Sequence, residues 1–412
     1  MKKIAVTGLG VVAPSGIGTR QFWANLKAGR SFIRRITRFD ASQYPSHIAG
    51  QIDDLERYST ISRRLLKKID LFSHMAIVAS EMALQQAGID LKEEDPNLVG
   101  IFLGNALGGW LYAETELRDL YVEGREGVSP YMASAWFPAA PQGQVSLYYG
   151  IKGFSKTVVA DRASSSVAIG YARETLSRGR LNIILAGGTE APVTPYALLC
   201  CNTYGGLSIN NAHPEKAYRP FDRKREGFVI GEGAGVVVME SIEGAQQRGA
   251  TILALVSGFG TTCDGHDRIN PAPDGKQLGR AITMALSEAA IAPEEIDYIS
   301  LDGLAVDLWD RSEVEAIKTV FGEKAKDIPV SCPKAMFGNL LGASGAVDLI
   351  TTIVAMEHNL IPPTLNLEEP DPNGLSYVIH AAKPKEIKKA VVISRGRGGI
   401  NSVLVVEKKE VT

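Results

Sequence analysis

Residues 6–10 read Val6-Thr7-Gly8-Leu9-Gly10, and residues 256–260 read Val256-Ser257-Gly258-Phe259-Gly260. The same apolar start running into alternate glycines is thus written twice, and self-similarity at a fixed interval is the mark of a duplicated unit. The copies stay in step outward from there. Two helical patterns follow, EMALQQAGI at residues 81–89 and TMALSEAAI at residues 283–291. Each leads into a strand ending in small residues, GIFLGN at 100–105 and YISLDG at 298–303. Each copy then has a strand, an elbow and a small-residue helix: VVADRASSSVAIG at 158–170 and PVSCPKAMFGNLLGASGA at 329–346. Each closes on an apolar strand running into glycines or small residues, NIILAGGTE at 182–190 and AVVISRGRGGIN at 390–401. Strands and helices alternating at this spacing predict an α/β layered fold. Two such units packed together put their strand ends around a shared cleft, where α/β folds place ligands.

The expected division is residues 1–255 and residues 256–412, with an aromatic insertion at residues 104–149 that has no counterpart in the second unit. That insertion carries Trp110, Tyr112, Tyr121, Tyr131, Trp136, Phe137, Tyr148 and Tyr149, a composition suited to an interface, a pocket wall or plain core. At 412 residues, 45% hydrophobic and 22% charged, the chain is an ordinary globular one, and its net charge of −2 does not suit a nucleic-acid binder. No apolar run is long enough to span a membrane. Lys2, Lys3 and the apolar residues after them have the outline of a weak signal peptide, but read better as a first strand turning at Gly8, Gly10 and Pro14. Cys200, Cys201, Cys263 and Cys332 form neither a metal spacing nor a disulfide framework, which fits a reducing cytoplasm. Residues 408–412 read as a frayed tail.

The elbow at residues 158–171 is where such a fold holds a nucleophile against a helix N-terminus. Here it carries Asp161 and Arg162, with neither cysteine nor histidine. Ser164, Ser165 and Ser166 lack a histidine in reach as a base, so they read as packing and capping residues at the helix start. Gly8-Leu9-Gly10 lacks the third glycine of a dinucleotide site. Asp264, His266 and Asp267 read as a solvated loop and not a metal site. Arg63, Arg64, Lys67 and Lys68 make a basic helix face, ordinarily solvated but suited to an acidic carrier protein.

Taken together, VTGLGVVAPSG, FLGNALGG, AGGTEAPVTP, RPFDRKREGFVIGEGAGVVVMES, KTVFGE, NLLGASGAVD, PPTLNLEEPD and the closing GRGGIN resemble the β-ketoacyl-carrier-protein synthases of the thiolase superfamily over nearly the full chain. The resemblance implies an α/β thiolase fold, a duplicated five-layer α-β-α-β-α body acting as a dimer. It also implies a cysteine nucleophile with two histidines. In register, the cysteine position falls on Arg162, counted back from Glu190, and the histidine positions fall on Asp302 and Asn339. Lys334 and Gly338 of the second histidine motif are retained. The glycine-rich gate reads Gly396-Arg397-Gly398-Gly399-Ile400-Asn401, preceded by Arg395.

Arg162 is not a nucleophile, and its charge at a helix N-terminus asks for a partner. An Arg162–Asp302 or Arg162–Asp161 ion pair is expected, with Asp307 also available, and Asp302 and Asp307 are expected to answer Arg395 and Arg397. Family members without the cysteine are of two kinds. Decarboxylases keep both histidines, which this chain lacks. Chain-length factors of type II polyketide synthases pair with an active ketosynthase and wall the tunnel for the polyketide chain. The resemblance implies the second kind, with a ketosynthase and an acyl carrier protein as partners and no cofactor or metal beyond the phosphopantetheine arriving on the carrier. It places tunnel and interface residues at Asn105, Leu107, Trp110, Leu111 and Tyr112, with Ala113, Glu116, Trp136 and Phe137 beyond them. Two alternatives stay open: an acyltransferase or decarboxylase using Asp302, Asn339 and Lys334 without Cys or His, and a purely structural stabilising subunit.

Overall fold

The structure, a computed structural model, describes residues 3–371 and 374–409. Residues 410–412 of the expected tail, and Met1 and Lys2, lie outside the described residues. Lys408 is tied down, its ammonium donating to Met356 O and Asn359 Oδ1.

The repeated strands are β1 (Ile4–Ala13), β2 (Val99–Gly104), β3 (Lys156–Val158), β4 (Ile183–Glu190) and β5 (Gly233–Ser241) in the first unit. Those of the second are β6 (Ala254–Cys263), β7 (Tyr298–Ser300), β8 (Pro329–Ser331), β9 (Lys389–Gly396) and β10 (Ile400–Glu407). The helices of two turns or more are α1 (Thr19–Lys27), α2 (Leu71–Ala87), α3 (Trp110–Glu123), α4 (Ala140–Tyr149), α5 (Ser164–Ser177), α6 (Pro195–Tyr204), α7 (Lys276–Ala289), α8 (Asp307–Phe321) and α9 (Ser344–His358). Each unit makes a mixed sheet, ordered β1-β5-β4-β2-β3 and β6-β10-β9-β7-β8. The orders match strand for strand. The units join where β1 and β6 pair antiparallel through Ile4–Val256, Ala5–Leu255 and Val6–Ala254. The boundary expected at 255/256 therefore falls inside β6, which starts at Ala254.

Five layers result. α2 covers the outer face of the first sheet and α7 that of the second, while α5 and α9 pack against each other between the sheets. The central helices can be buried because they are rich in small residues. Gly345 of α9 comes so close to α5 that a β-carbon there would stand 2.8 Å from Ser166 Cβ.

The glycines of the repeat are not turns. β1 runs through Gly8 and Gly10 without reversing. A β-carbon at Gly8 would stand 2.0 Å from Ala83 O, and one at Gly10 1.8 Å from Ala79 O. In the second unit Gly258 and Gly260 meet Ala285 O at 2.0 Å and Ala281 O at 2.1 Å. Both central strands also bulge at equivalent points, β1 against β5 between Val6 and Gly8, and β6 against β10 between Val256 and Gly258. The N–H beside each bulge finds an equivalent partner, Leu9 N to Gln86 Oε1 at 2.8 Å and Phe259 N to Glu288 Oε2 at 2.7 Å. The duplicated sequence thus encodes one strand–helix contact twice.

The stretch without a counterpart is shorter than expected. α4 packs on α2 as α8 packs on α7, so α4 belongs to the repeat and the extra part is residues 105–139. No helix among the described residues is long and apolar enough to cross a membrane.

Gly10→Ala is expected to lose about 1–3 kcal/mol by overpacking, with Gly258→Ala similar, in urea unfolding. Gly143→Ala, in α4 with open space around it, should be neutral or gain up to about 1 kcal/mol from helix propensity.

Candidate functional site

The elbow between β3 and α5 is a wound turn. Asp161 sits in the left-handed region at φ 50°. Ser164 holds the turn: its hydroxyl accepts from Ala160 N at 2.8 Å and directs its proton at Asp161 O and Asn105 O. The serines do not cap the helix as expected. Ala163 is the N-cap, with no side-chain bond. Ser165 instead accepts from Ala346 N at 3.0 Å and Ser166 pairs with Ser402 at 2.8 Å, so both stitch the two units together.

Arg162 is 1% exposed. Its Nη1 stands 3.2 Å from Asp161 Oδ2, so Asp161 is the carboxylate that answers it. The guanidinium lies over the Trp309 ring, 4.6 Å from the centroid, and the Arg395 guanidinium lies 5.0 Å from the same centroid. Nε and Nη2 of Arg162 have no hydrogen-bond partner among the described residues. Such a contact with an indole is worth roughly 2 kcal/mol when desolvated, less than the cost of burying the charge.

Asp302 is not the ion-pair partner of Arg162. Its Oδ1 accepts from Arg395 N at 3.1 Å. Its own backbone N–H and that of Gly303 donate to the two oxygens of Glu313, at 2.8 and 3.0 Å. Lys334 bonds Asp302 O at 2.9 Å and the Asp348 carboxylate at 2.7 Å. Burial opposes the Lys334 charge, yet Asp348 and Asp302 hold its pKa above the ordinary lysine value. Asn339 is fully buried; its Oδ1 accepts from Leu341 N and Ser344 Oγ and its Nδ2 points at the Tyr218 hydroxyl.

Arg395 donates Nε to Asn401 Oδ1 and Nη1 to Trp309 O and Ser312 Oγ. Its carboxylate neighbour is Asp264 at 4.0 Å, whose side chain is buried and not in a solvated loop as expected. Burial lowers the Arg395 pKa, with Glu313, Asp302 and Asp264 opposing and Arg162 adding to the fall. Arg397 donates its backbone N–H to Asp161 Oδ2 at 2.7 Å and Nη2 to Gly205 O. Asp307 answers neither gate arginine; it pairs with Arg225 and Arg311. No His/Cys/Asp/Glu cluster suited to a metal occurs among the described residues.

Cys201 and Cys332 are the buried cysteines, and burial keeps both as thiols. Burial pushes the Cys201 thiol up to about 12 and the Cys332 thiol well above its ordinary value. Trp309, Glu313, Asp264 and Ser312 belong to this cluster and were not singled out as members from sequence. For Trp309, Ser312 and Glu313 the one sequence signal is the acidic pattern of DLWDRSEVEA at residues 307–316; Asp264 lies elsewhere in the chain.

The insertion residues gather on one side of the elbow. Trp110 stacks on Tyr196 at 4.2 Å and leans on Trp136 at 6.2 Å, and Trp136 meets Phe137 edge-on at 5.9 Å. Asn105 Nδ2 reaches Pro138 O, and Leu107 N donates to Glu190. Leu111 and Tyr112 are half-buried. Tyr112 donates its hydroxyl to Ser129, and the Glu116 carboxylate accepts from Ser129 N. Ala113 and Glu116 are therefore turned into the protomer. The apolar side chains that α3 shows to solvent are Leu117, Leu120, Tyr121 and Val122. The basic residues at 63–68 form a single turn, Arg63–Leu66, not a long face; Arg63, Arg64 and Lys67 are exposed and Lys68 lies over Tyr131.

Two outcomes follow. Asp161→Asn keeps a residue tolerant of the left-handed backbone but strips Arg162 of its carboxylate. The expected loss is about 1–3 kcal/mol in urea unfolding, below the value for a fully buried pair because Asp161 is partly exposed, and much less in an Arg162→Met background. The second is a pH effect. Burial raises Glu190 and Asp310 to about 7 and Glu313 to about 8. A carboxyl raised above its unfolded value adds stability that is lost as pH rises through the folded pKa. The calorimetric melting temperature should fall between about pH 6.5 and 8.5; a rise over that interval would contradict this account.

Comparison with known proteins places these features. The β-ketoacyl synthase N-terminal domain matches residues 1–245 and the β-ketoacyl synthase C-terminal domain matches residues 253–368. A 3-oxoacyl-[acyl-carrier-protein] synthase 2 of Staphylococcus aureus (strain COL) is 36% identical over 410 residues, 99% of each chain. The protein of that name from Coxiella burnetii is 35% identical over 408 residues, again 99% of each. Among solved structures, the ishigamide ketosynthase/chain length factor superposes with a TM-score of 0.91 at 30% identity, over 99% of this chain and 100% of that one. A type II polyketide synthase acyl-carrier protein in complex with its ketosynthase bound to the hexaketide gives 0.91 at 31%, with the same coverage. A β-ketoacyl synthase from Burkholderia phymatum gives 0.92 at 31%, over 100% of both chains. With both domain models matched in order on a duplicated five-layer body, the chain belongs to the β-ketoacyl synthase family and has the thiolase fold.

Proposed function

We propose that this chain is the non-condensing subunit of a type II polyketide synthase, a chain-length factor that pairs with an active ketosynthase. The observation that carries the reading is Arg162. A guanidinium, which is no nucleophile, stands where the resemblance puts the nucleophile, buried and tied to Asp161 and Trp309. The resemblance puts the two histidine positions at Asp302 and Asn339; Asp302 Oδ1 accepts from Arg395 N, and Asn339 Oδ1 from Leu341 N and Ser344 Oγ. Neither offers a neutral imidazole to stabilise an enolate. Acyl transfer or decarboxylation through Asp302, Asn339 and Lys334 is disfavoured for the same reason.

An edge strand supports pairing. β3 ends its sheet with no further strand on its open side among the described residues, and Phe154 and Val159 beside it are exposed. Such an edge offers backbone groups and apolar surface to a partner. The aromatic series of Trp110, Trp136 and Phe137 lies on the same unit, and its bulk is the feature that would end a growing chain. The carrier protein would bring the phosphopantetheine, the subunit needing no cofactor or metal of its own, and Arg63, Arg64 and Lys67 would meet the carrier's acidic surface in the cytoplasm. A purely stabilising role is the second reading. It is favoured by the inward direction of Ala113 and Glu116, two side chains that the tunnel reading had assigned to the wall.

The test is co-expression with an active ketosynthase of a type II polyketide synthase encoded beside it, if the genome holds one. The chain alone should neither condense nor decarboxylate malonyl-carrier protein above background, and Arg162→Cys should restore neither, because the imidazoles are also missing. A 1:1 complex should form on co-expression, and Trp110→Ala should lengthen the product. Decarboxylation by the isolated chain would overturn the reading, and unchanged product length in Trp110→Ala and Trp136→Ala would leave the stabilising role.

A further inference from the structure

The segment between β2 and α3 hangs on carboxylates that accept its backbone. Glu190, at the end of β4 and fully buried, accepts from Ala106 N at 2.6 Å and Leu107 N at 3.1 Å, and from Gly342 N of the second unit at 3.1 Å. Asp70, 2% exposed, is the N-cap of α2 through Oδ1, which accepts from Phe72 N at 3.0 Å. Its other oxygen accepts from Tyr112 N, in the first turn of α3, at 2.7 Å. One carboxylate thus closes two helix N-termini that converge on it. The approach is tight: a β-carbon at Gly109 would stand 2.9 Å from Asp70 Cβ and 2.5 Å from Ala135 O. Neither Asp70 nor Glu190 has a cation within ion-pair distance among the described residues. Arg38, the cation that lies toward Asp70, is bound to Glu232 through both its terminal nitrogens.

Capping α2 needs one oxygen of Asp70, and the second serves only the insertion. We propose that Asp70 and Glu190 are positioning residues of the insertion, fixing where Trp110 and Tyr112 stand and through them the length to which the chain grows. This rests on the chain-length reading above.

A pH dependence follows from the geometry. Burial pushes the Asp70 carboxyl up to about 6 and that of Glu190 to about 7, although the backbone N–H groups pull both down. The charged groups toward Asp70 are Arg38 and Glu232; toward Glu190 it is Asp161. Of the nearby groups on the packed elements, His74 of α2 has its pKa lowered to about 4 by burial, and Glu114 and Glu116 of α3 accept from Tyr196 N and Ser129 N. As pH falls from 8 to 6 Glu190 takes up its proton and Asp70 becomes about half protonated. A neutral carboxyl keeps one good acceptor and turns an O–H toward an N–H, so one backbone contact is lost at each.

The experiment uses the co-expressed complex, with hydrogen exchange of amides 106–123 and product length as readouts. Asp70→Asn is expected to speed exchange at Tyr112 and the first turn of α3 about tenfold, with the interior of α2 and the yield of complex unchanged, and to broaden the product distribution. Wild type should show the same change on lowering the pH from 8 to 6, after correction for intrinsic exchange, and Asp70→Asn should respond less. Wild-type exchange and products in Asp70→Asn, while Trp110→Ala still shifts the products, would overturn the proposal and leave the chain-length reading standing. If Trp110→Ala has no effect either, that reading fails and the exchange data alone judge the positioning. Should Glu190→Gln not fold, the wild-type pH series decides its part: no faster exchange at Ala106 and Leu107 by pH 6 would remove it.

Discussion

Four glycines let two helices rest directly on two strands, and the layering follows from that contact. Gly8 and Gly10 meet the carbonyls of Ala83 and Ala79, and Gly258 and Gly260 those of Ala285 and Ala281. Alternate residues of a strand and residues four apart on a helix make matching rows, so two glycines and two alanines bring the backbones together. With α2 and α7 pressed this close, each sheet's other face is free to take a central helix. α5 and α9 fill that space, and the main apolar cluster draws on strands of both units.

The elbow presents a buried charge at the start of a central helix. Ser164 winds the turn that places residue 162 just before α5. The side chain presented is a guanidinium, and a buried charge must be paired or placed against a polarisable surface. Asp161 and the Trp309 ring supply both for Arg162. Arg395 comes to the same ring, its backbone N–H held by the Asp302 carboxylate. Arg162, Asp302 and Arg395 are therefore one interdependent set, in which the positive charges at 162 and 395 share a ring and Asp302 offsets one of them. Removing Asp302 or Arg395 leaves the charge of the other less well compensated. Asn339 is separate, satisfied by Leu341, Ser344 and Tyr218.

The extra segment obeys a different rule. Beside its apolar contacts it is attached by carboxylates accepting backbone N–H groups, the buried Asp70 and Glu190 from the scaffold and the half-buried Glu114 in return to Tyr196 N. Carboxylates so placed fix direction as well as distance, since each oxygen takes a donor near its own plane. Trp110 is then locked against Tyr196 and Trp136.

The sequence by itself determined the duplication, eight of the ten repeated strands and the strand–elbow–helix order, because each is carried by local period along the chain. It did not show that Gly8 and Gly10 lie within a straight strand, since a glycine needed for a turn and one needed for close packing look alike until the helix is in place. Nor did it show that Asp264 is buried, that Ser165 and Ser166 join the units, or that α4 belongs to the repeat. Tertiary structure alone chose Asp161 over Asp302 as the partner of Arg162, and set Trp309 under two arginines. The physical reason is reach: which carboxylate meets which N–H depends on how segments such as Asp70 and Tyr112, 42 residues apart, are brought together by packing, and no periodicity in the chain records that approach.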